Sequence, residues 1–106
     1  MADQINASHI LLMYAGSERS SATRSKEEAE TQIADIATQL EGGGDFAALA
    51  RASSDCGSAQ AGGDLGAFGR GQMVKAFEDA AFALNVGDTS AVIETPFGFH
   101  IIRRTG

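Results

Sequence analysis

Scarcity of cysteine and proline, and the lack of any tryptophan, narrow the reading of this chain before any motif does. A single cysteine, Cys56, leaves no intramolecular disulfide to form. The two histidines, His9 and His100, stand far apart in sequence, so no Cys/His cluster has zinc-ligand spacing and no metal is expected. No apolar run approaches the roughly 20 residues needed to span a bilayer, and Met1-Ala2-Asp3-Gln4 does not open a secretory signal. A soluble protein of the cytoplasm is therefore expected. Basic residues number 8 against 14 acidic ones, for a formal net charge of -6. Phosphate neutralisation needs clustered Lys and Arg, so nucleic acid is not expected as a partner.

What is present suits one compact domain over residues 1–106, with 43% apolar side chains to build one core. Ala7 to Met13 reads as a buried strand, with His9 on the face shared by Ala7, Leu11 and Met13. A polar stretch from Ala15 to Arg24 reads as a loop. Ser25 then opens a helix, with Glu28 placed to complete a capping box. Ala29, Ile33, Ile36, Ala37 and Leu40 give that helix one apolar face, and Gly42-Gly43-Gly44 ends it. Asp45 is placed to cap a shorter helix carrying Phe46, Leu49 and Ala50. After a Gly/Ser/Ala-rich segment around Cys56, Leu65 to Phe68 allows a brief strand. Val74, Phe77, Ala81 and Leu84 return to helical spacing. Ala91 to Glu94 can form a strand, and Phe99 to Arg104 alternates as another, with His100 facing the side of Ile102. This order, with no glycine-rich dinucleotide fingerprint, predicts an α+β domain around a small, mainly antiparallel sheet.

Four features carry candidate chemistry, and each also has a plain structural reading. His9 and His100 lie on the first and last predicted strands, which often pair in small sheets; buried together, two imidazoles can satisfy each other if one is neutral. Cys56 sits in a loop, where a Cys–His hydrolase is formally possible, yet no hydrolase signature or oxyanion hole accompanies it. Leu65, Phe68, Met73 and Phe77 are either core or the lining of a shallow apolar pocket of pyrrolidine size. Gly62-Gly63-Asp64-Leu65-Gly66 lacks the Lys-Ser/Thr of a phosphate loop and reads as tight turns.

The pieces Ala7-Ser8-His9-Ile10-Leu11, Asp45-Phe46-Ala47-Ala48-Leu49-Ala50 and Ser54-Asp55-Cys56-Gly57-Ser58 come first in a longer pattern. They continue through the block from Gly62 to Val74, then Phe77-Glu78, Val86-Gly87 and Phe97-Gly98-Phe99-His100-Ile101-Ile102. In this order and spacing they resemble the parvulin rotamase family over nearly the whole chain. The resemblance implies a peptidyl-prolyl cis–trans isomerase without a cofactor, acting on proline-containing polypeptides. It implies an FKBP-like four-stranded antiparallel sheet surrounded by four helices, with the site on one sheet face. By position, His9 and His100 match the family's paired histidines, Cys56 a position held by Cys or Asp, and Thr95 a hydroxyl residue beside them. Leu65, Met73 and Phe77 match the proline pocket, with Phe68 and Gln72 beside it. A monomer is expected. The rival reading keeps the fold but makes it a chaperone-like binder of proline segments with little turnover.

The sequence departs from phosphate-directed parvulins in the loop after the first strand. Tyr14 to Ser25 is short there, offering Arg19 and Arg24 for an acidic or phosphorylated substrate but also Glu18, and Met13 replaces a lysine. No strict phosphate requirement is expected, since a phosphate wants convergent Arg or Lys donors. A phosphopeptide-binding WW module would need tryptophan, which the chain lacks.

Overall fold

The computed structural model describes residues 4–17, 20 and 22–106. Strand β1 (Gln4–Leu12) is followed by helices α1 (Lys26–Glu41) and α2 (Phe46–Ser53), then by a 3-10 turn over Gly57–Ala61. Strand β2 (Asp64–Gly69), helix α3 (Lys75–Ala83) and strands β3 (Ile93–Thr95) and β4 (Gly98–Arg104) complete the order. Every pairing is antiparallel and the strands lie in the order β2-β1-β4-β3. The expected α+β sheet is present. Three of the surrounding segments are α-helices and the fourth is the short 3-10 turn, because its glycine-flanked five residues are too few for a regular helix.

Local chemistry sets the helix starts as the sequence predicts. Ser25 Oγ accepts from the Glu28 amide at 3.1 Å, and the Glu28 carboxylate accepts from the Ser25 amide at 2.9 Å. Asp45 caps α2 through the Ala48 amide at 3.2 Å. On α1 the residues Ala29, Ile33, Ile36 and Leu40 are buried, one per turn.

The period-two alternation of the central strands divides the core. On one face, Ile10 and Leu12 of β1 and Phe99 and Ile101 of β4 pack against α1 and α2. On the other, Ile5, Ala7 and Ile102 meet Phe68 and the Phe77–Ala81 side of α3. Complete burial of an isoleucine contributes about 1.5–3 kcal/mol, and Ile10, Ile33, Ile101 and Ile102 are all fully enclosed. Strand β1 begins three residues earlier than its apolar run suggests, because Gln4, Ile5 and Asn6 pair with Gly69, Phe68 and Ala67. Strand β3 lies slightly later than the apolar Ala91-Val92-Ile93 run, since its partner is the start of β4, with Thr95 opposite Gly98.

Two glycines permit approaches that no other residue would. A Cβ on Gly63 would stand 2.4 Å from the His9 carbonyl oxygen, and one on Gly98 would stand 2.3 Å from that of Leu12. Both have positive φ, +87° and +143°. They bring the chain flush against β1 on either side of the histidine.

Candidate active site

Cross-strand register brings the two histidines together. His9 lies opposite Ile102 and His100 opposite Leu11, which makes the imidazoles diagonal neighbours on the α3 face. Their Nδ1 atoms are 3.1 Å apart, and the rings stack at 5.3 Å between centroids. Phe77 of α3 meets both edge-on, at 5.4 Å from each. All three side chains are buried.

Thr95 fixes the direction of this network. Its buried Oγ1 accepts from the Phe97 amide at 3.2 Å and lies 2.7 Å from His100 Nε2. The hydroxyl proton has no other described partner, so it donates to Nε2, and a buried hydroxyl left undonated would be costly. His100 then carries its proton on Nδ1 and donates to His9 Nδ1. His9 in turn holds its proton on Nε2. Burial first, and His9 second, push His100 down to about 3, so this ring is neutral at physiological pH.

His9 Nε2 is buried and has no hydrogen-bond partner at regular geometry; Ser58 Oγ is in the same position. Both act on the half-buried Cys56 thiol, which is pushed down to about 6, foremost by His9 and then by Ser58, against the opposing effect of burial. The sulfur meets neither group in a fully formed bond, so the effect is short-range polarisation by two donors. Among the described residues no group of three or more His, Cys, Asp or Glu side chains converges as a metal-binding set.

Cys56 is held in place by side chains that act as a strand. Beyond Ser8, where β2 turns away, the β1 edge is still satisfied: the His9 amide donates to Gly63 O at 2.9 Å. The Leu11 amide then donates to Ser54 Oγ at 3.0 Å, and the Met13 amide to Asp55 Oδ2 at 2.9 Å. The Asp55 amide donates back to Leu11 O at 2.7 Å. Arg24 pairs with the same Asp55 oxygen and donates to the Met13 carbonyl at 2.9 Å. Ser54, Asp55 and Ser58 carry no chemistry in sequence patterns of their own. The only local signal is three short polar side chains flanking a cysteine.

Of the remaining expected site residues, Leu65 and Met73 are half-buried and pack against the cluster that contains Phe77. Phe68 is 2% exposed, as enclosed as Phe77 at 3%, and tilts against it at 5.9 Å. Gln72 is exposed and its Oε1 accepts from the Gly69 amide at 3.0 Å, bracing the turn before Met73. Arg24 is engaged by Asp55 as described, and Arg19 lies outside the described residues. A cavity of about 440 Å³ beside α1 and α2, with Ile36, Gln39 and Leu49 in its wall, contains none of the histidines.

The PPIC-type PPIase domain family matches residues 1–106. The peptidyl-prolyl cis-trans isomerase Pin1 of Arabidopsis thaliana is 45% identical, with 97% of this chain and 96% of that one aligned. The isomerase pin1 of Schizosaccharomyces pombe is 50% identical over 95% of this chain and 62% of its own length. Among solved structures, the peptidyl-prolyl isomerase ESS1 from Candida albicans superposes with a TM-score of 0.91 at 38% identity, covering 98% of this chain and 63% of that chain. The solution structure of TbPIN1 matches with a TM-score of 0.90 at 36% identity over the whole of both chains.

Proposed function

This chain belongs to the PPIC-type PPIase family and is a peptidyl-prolyl cis–trans isomerase, and from that premise we propose how its residues divide the work. Leu65, Met73 and Phe77 grip the pyrrolidine ring of a proline-containing polypeptide. Cys56, set by His9, His100, Thr95 and Ser58, acts on the peptide carbonyl through its charge, without a covalent bond.

The observation that carries this reading is the buried His9–His100 pair beneath Phe77, beside a thiol of lowered pKa. Rotation about Xaa-Pro loses amide resonance against a barrier of about 18–20 kcal/mol. No bond needs to break. A surface that fits the ring while the carbonyl turns stabilises the twisted state over the planar one, and only that difference accelerates rotation. Planar amide places partial negative charge on oxygen. A thiolate near that oxygen disfavours the planar form and leaves the twisted form nearly untouched. A hydrolase would instead need donors aimed at the oxyanion, whereas the effect of His9 and Ser58 is on the thiol itself.

Substrate preference before proline extends to unphosphorylated residues in this reading. Arg24 already serves Asp55 and the Met13 carbonyl, so a phosphate would have to displace Asp55 to use it. No helix of the described residues is long and apolar enough to cross a membrane. We read the protein as a cytoplasmic monomer that needs no cofactor. A low-pKa thiol suits a reducing compartment, and Val86 is the one large hydrophobic side chain exposed among the described residues.

Exchange NMR on Xaa-Pro peptides with Ser, phospho-Ser, Glu or Leu before the proline tests this. Accelerated cis–trans exchange across the set is expected. Acceleration confined to phospho-Ser would overturn the assigned role of Arg24, and broadening without faster exchange would reduce the site to a binding surface.

A further inference from the structure

The buried carboxylate of Glu78 plays no part in the network just described, yet its side chain is only 12% exposed. It accepts a hydrogen bond from the Gly71 amide, and Arg70 Nη1 lies 3.4 Å from its other oxygen. The Arg70 guanidinium also covers the Phe82 ring at 4.4 Å. Arg70 and Gly71 belong to the turn between β2 and α3, the turn that carries Gln72 and Met73. Val74, at the N-cap of α3, provides no side-chain cap, so nothing of that kind anchors the helix start. Glu78 is the next residue after Phe77, whose ring stands against both histidines.

We propose that Glu78 is a positioning residue for catalysis: it fastens the Met73 turn to the helix turn that bears Phe77, and so sets the width of the proline-binding surface. The inference rests on the reading of Leu65, Met73 and Phe77 as that surface. A solvent-exposed ion pair in this place would matter little. Here the carboxylate is enclosed and one partner is a backbone amide, a charge-assisted bond of the stronger kind. Released, the turn could move Met73 away from Phe77 while leaving the sheet, both histidines and Cys56 where they are. Displacements near 1 Å in positioning groups cost rates of up to about a hundredfold.

The test combines Glu78→Ala, Glu78→Gln and Met73→Ala, alone and paired, in exchange-NMR measurements of kcat/KM on an unphosphorylated Xaa-Pro peptide. Glu78→Ala is expected to lower kcat/KM by about tenfold or more. Glu78→Gln, whose amide oxygen can still accept from Gly71, should recover most of that loss. In a Met73→Ala background the Glu78→Ala change should cost less than about twofold, because the two act through one contact. Hydrogen exchange at the Gly71 amide should be slow in the wild type and Glu78→Gln and fast in Glu78→Ala. Should Glu78→Ala fail to fold, Glu78→Met, which keeps the side chain's length but offers Gly71 no oxygen acceptor, gives the same reading through Gly71 exchange and the coupling to Met73. An unchanged kcat/KM in folded Glu78→Ala, or equal losses in both backgrounds, would overturn the proposal. A Met73→Ala variant with full activity would instead refute the proline-binding surface itself.

Discussion

Lowering the pH from 7 to 4.5 sets His100 against its surroundings, and the size of the effect follows from its burial. In the fold this ring is pushed from 6.5 to about 3. Between those values the unfolded chain binds a proton that the folded chain refuses. Stability therefore rises with pH across that window, is fully present above 6.5, and is lost as the pH falls. The slope is about 1.4 kcal/mol per pH unit, so the fall from 6.5 to 4.5 removes about 2.7 kcal/mol. Against a typical total of about 5–15 kcal/mol this is a large share. Urea denaturation at pH 7, 6, 5.5 and 4.5, on the wild type and on His100→Asn, isolates it, because carboxylates common to both proteins cancel in the difference. The variant should be less stable at pH 7, having lost packing under Phe77, but its deficit should shrink by about 1.4 kcal/mol per unit below pH 6.5. Stability curves that stay parallel down to pH 4.5 would refute the claim that the ring is held neutral.

Cys56 should be alkylated by iodoacetamide with a rate that rises through a midpoint near pH 6, and kcat/KM should rise over the same range to a plateau. Cys56→Asp, which keeps a negative charge, should retain activity, whereas a rate profile flat from pH 5 to 8 would remove thiolate from the mechanism. Gly63→Ala and Gly98→Ala should each cost about 2–4 kcal/mol through clash and positive φ, while Gly57→Ala, whose added carbon meets nothing within 4 Å, should melt with the wild type.

Features written in local sequence were legible without coordinates. Ser25 and Glu28 stand three apart before an apolar stripe, and that spacing alone defines the capping box that forms. His9 and His100 sit on strands that alternate cleanly, so their common face follows from period two once β1 and β4 pair. What stayed hidden depends on contacts between distant segments. Ser54 and Asp55 complete the β1 edge only because β2 departs at Ser8, and no local pattern announces that departure. Arg24 has the chemistry of an anion contact, and only the fold reveals that Asp55 already occupies it. Glu78 reads as one more polar position on a helix until the β2–α3 turn is seen folded back over it. Phe68 stands beside the pocket residues through the family resemblance, and only the fold shows its ring set against that of Phe77.

The pairing of β1 with β4 ties the site to the timing of chain synthesis. His9 emerges ninety-one residues before His100, and the two central strands of the sheet are these same segments. Until β4 is available, a nascent chain has no middle to its sheet, no partner for His9 and no second half of either core. Contacts of such long sequence separation close late and slowly. Isomerase activity, followed as a growing chain lengthens on the ribosome, should therefore switch on in one step when β4 clears the exit tunnel, making this protein its own gauge of finished folding.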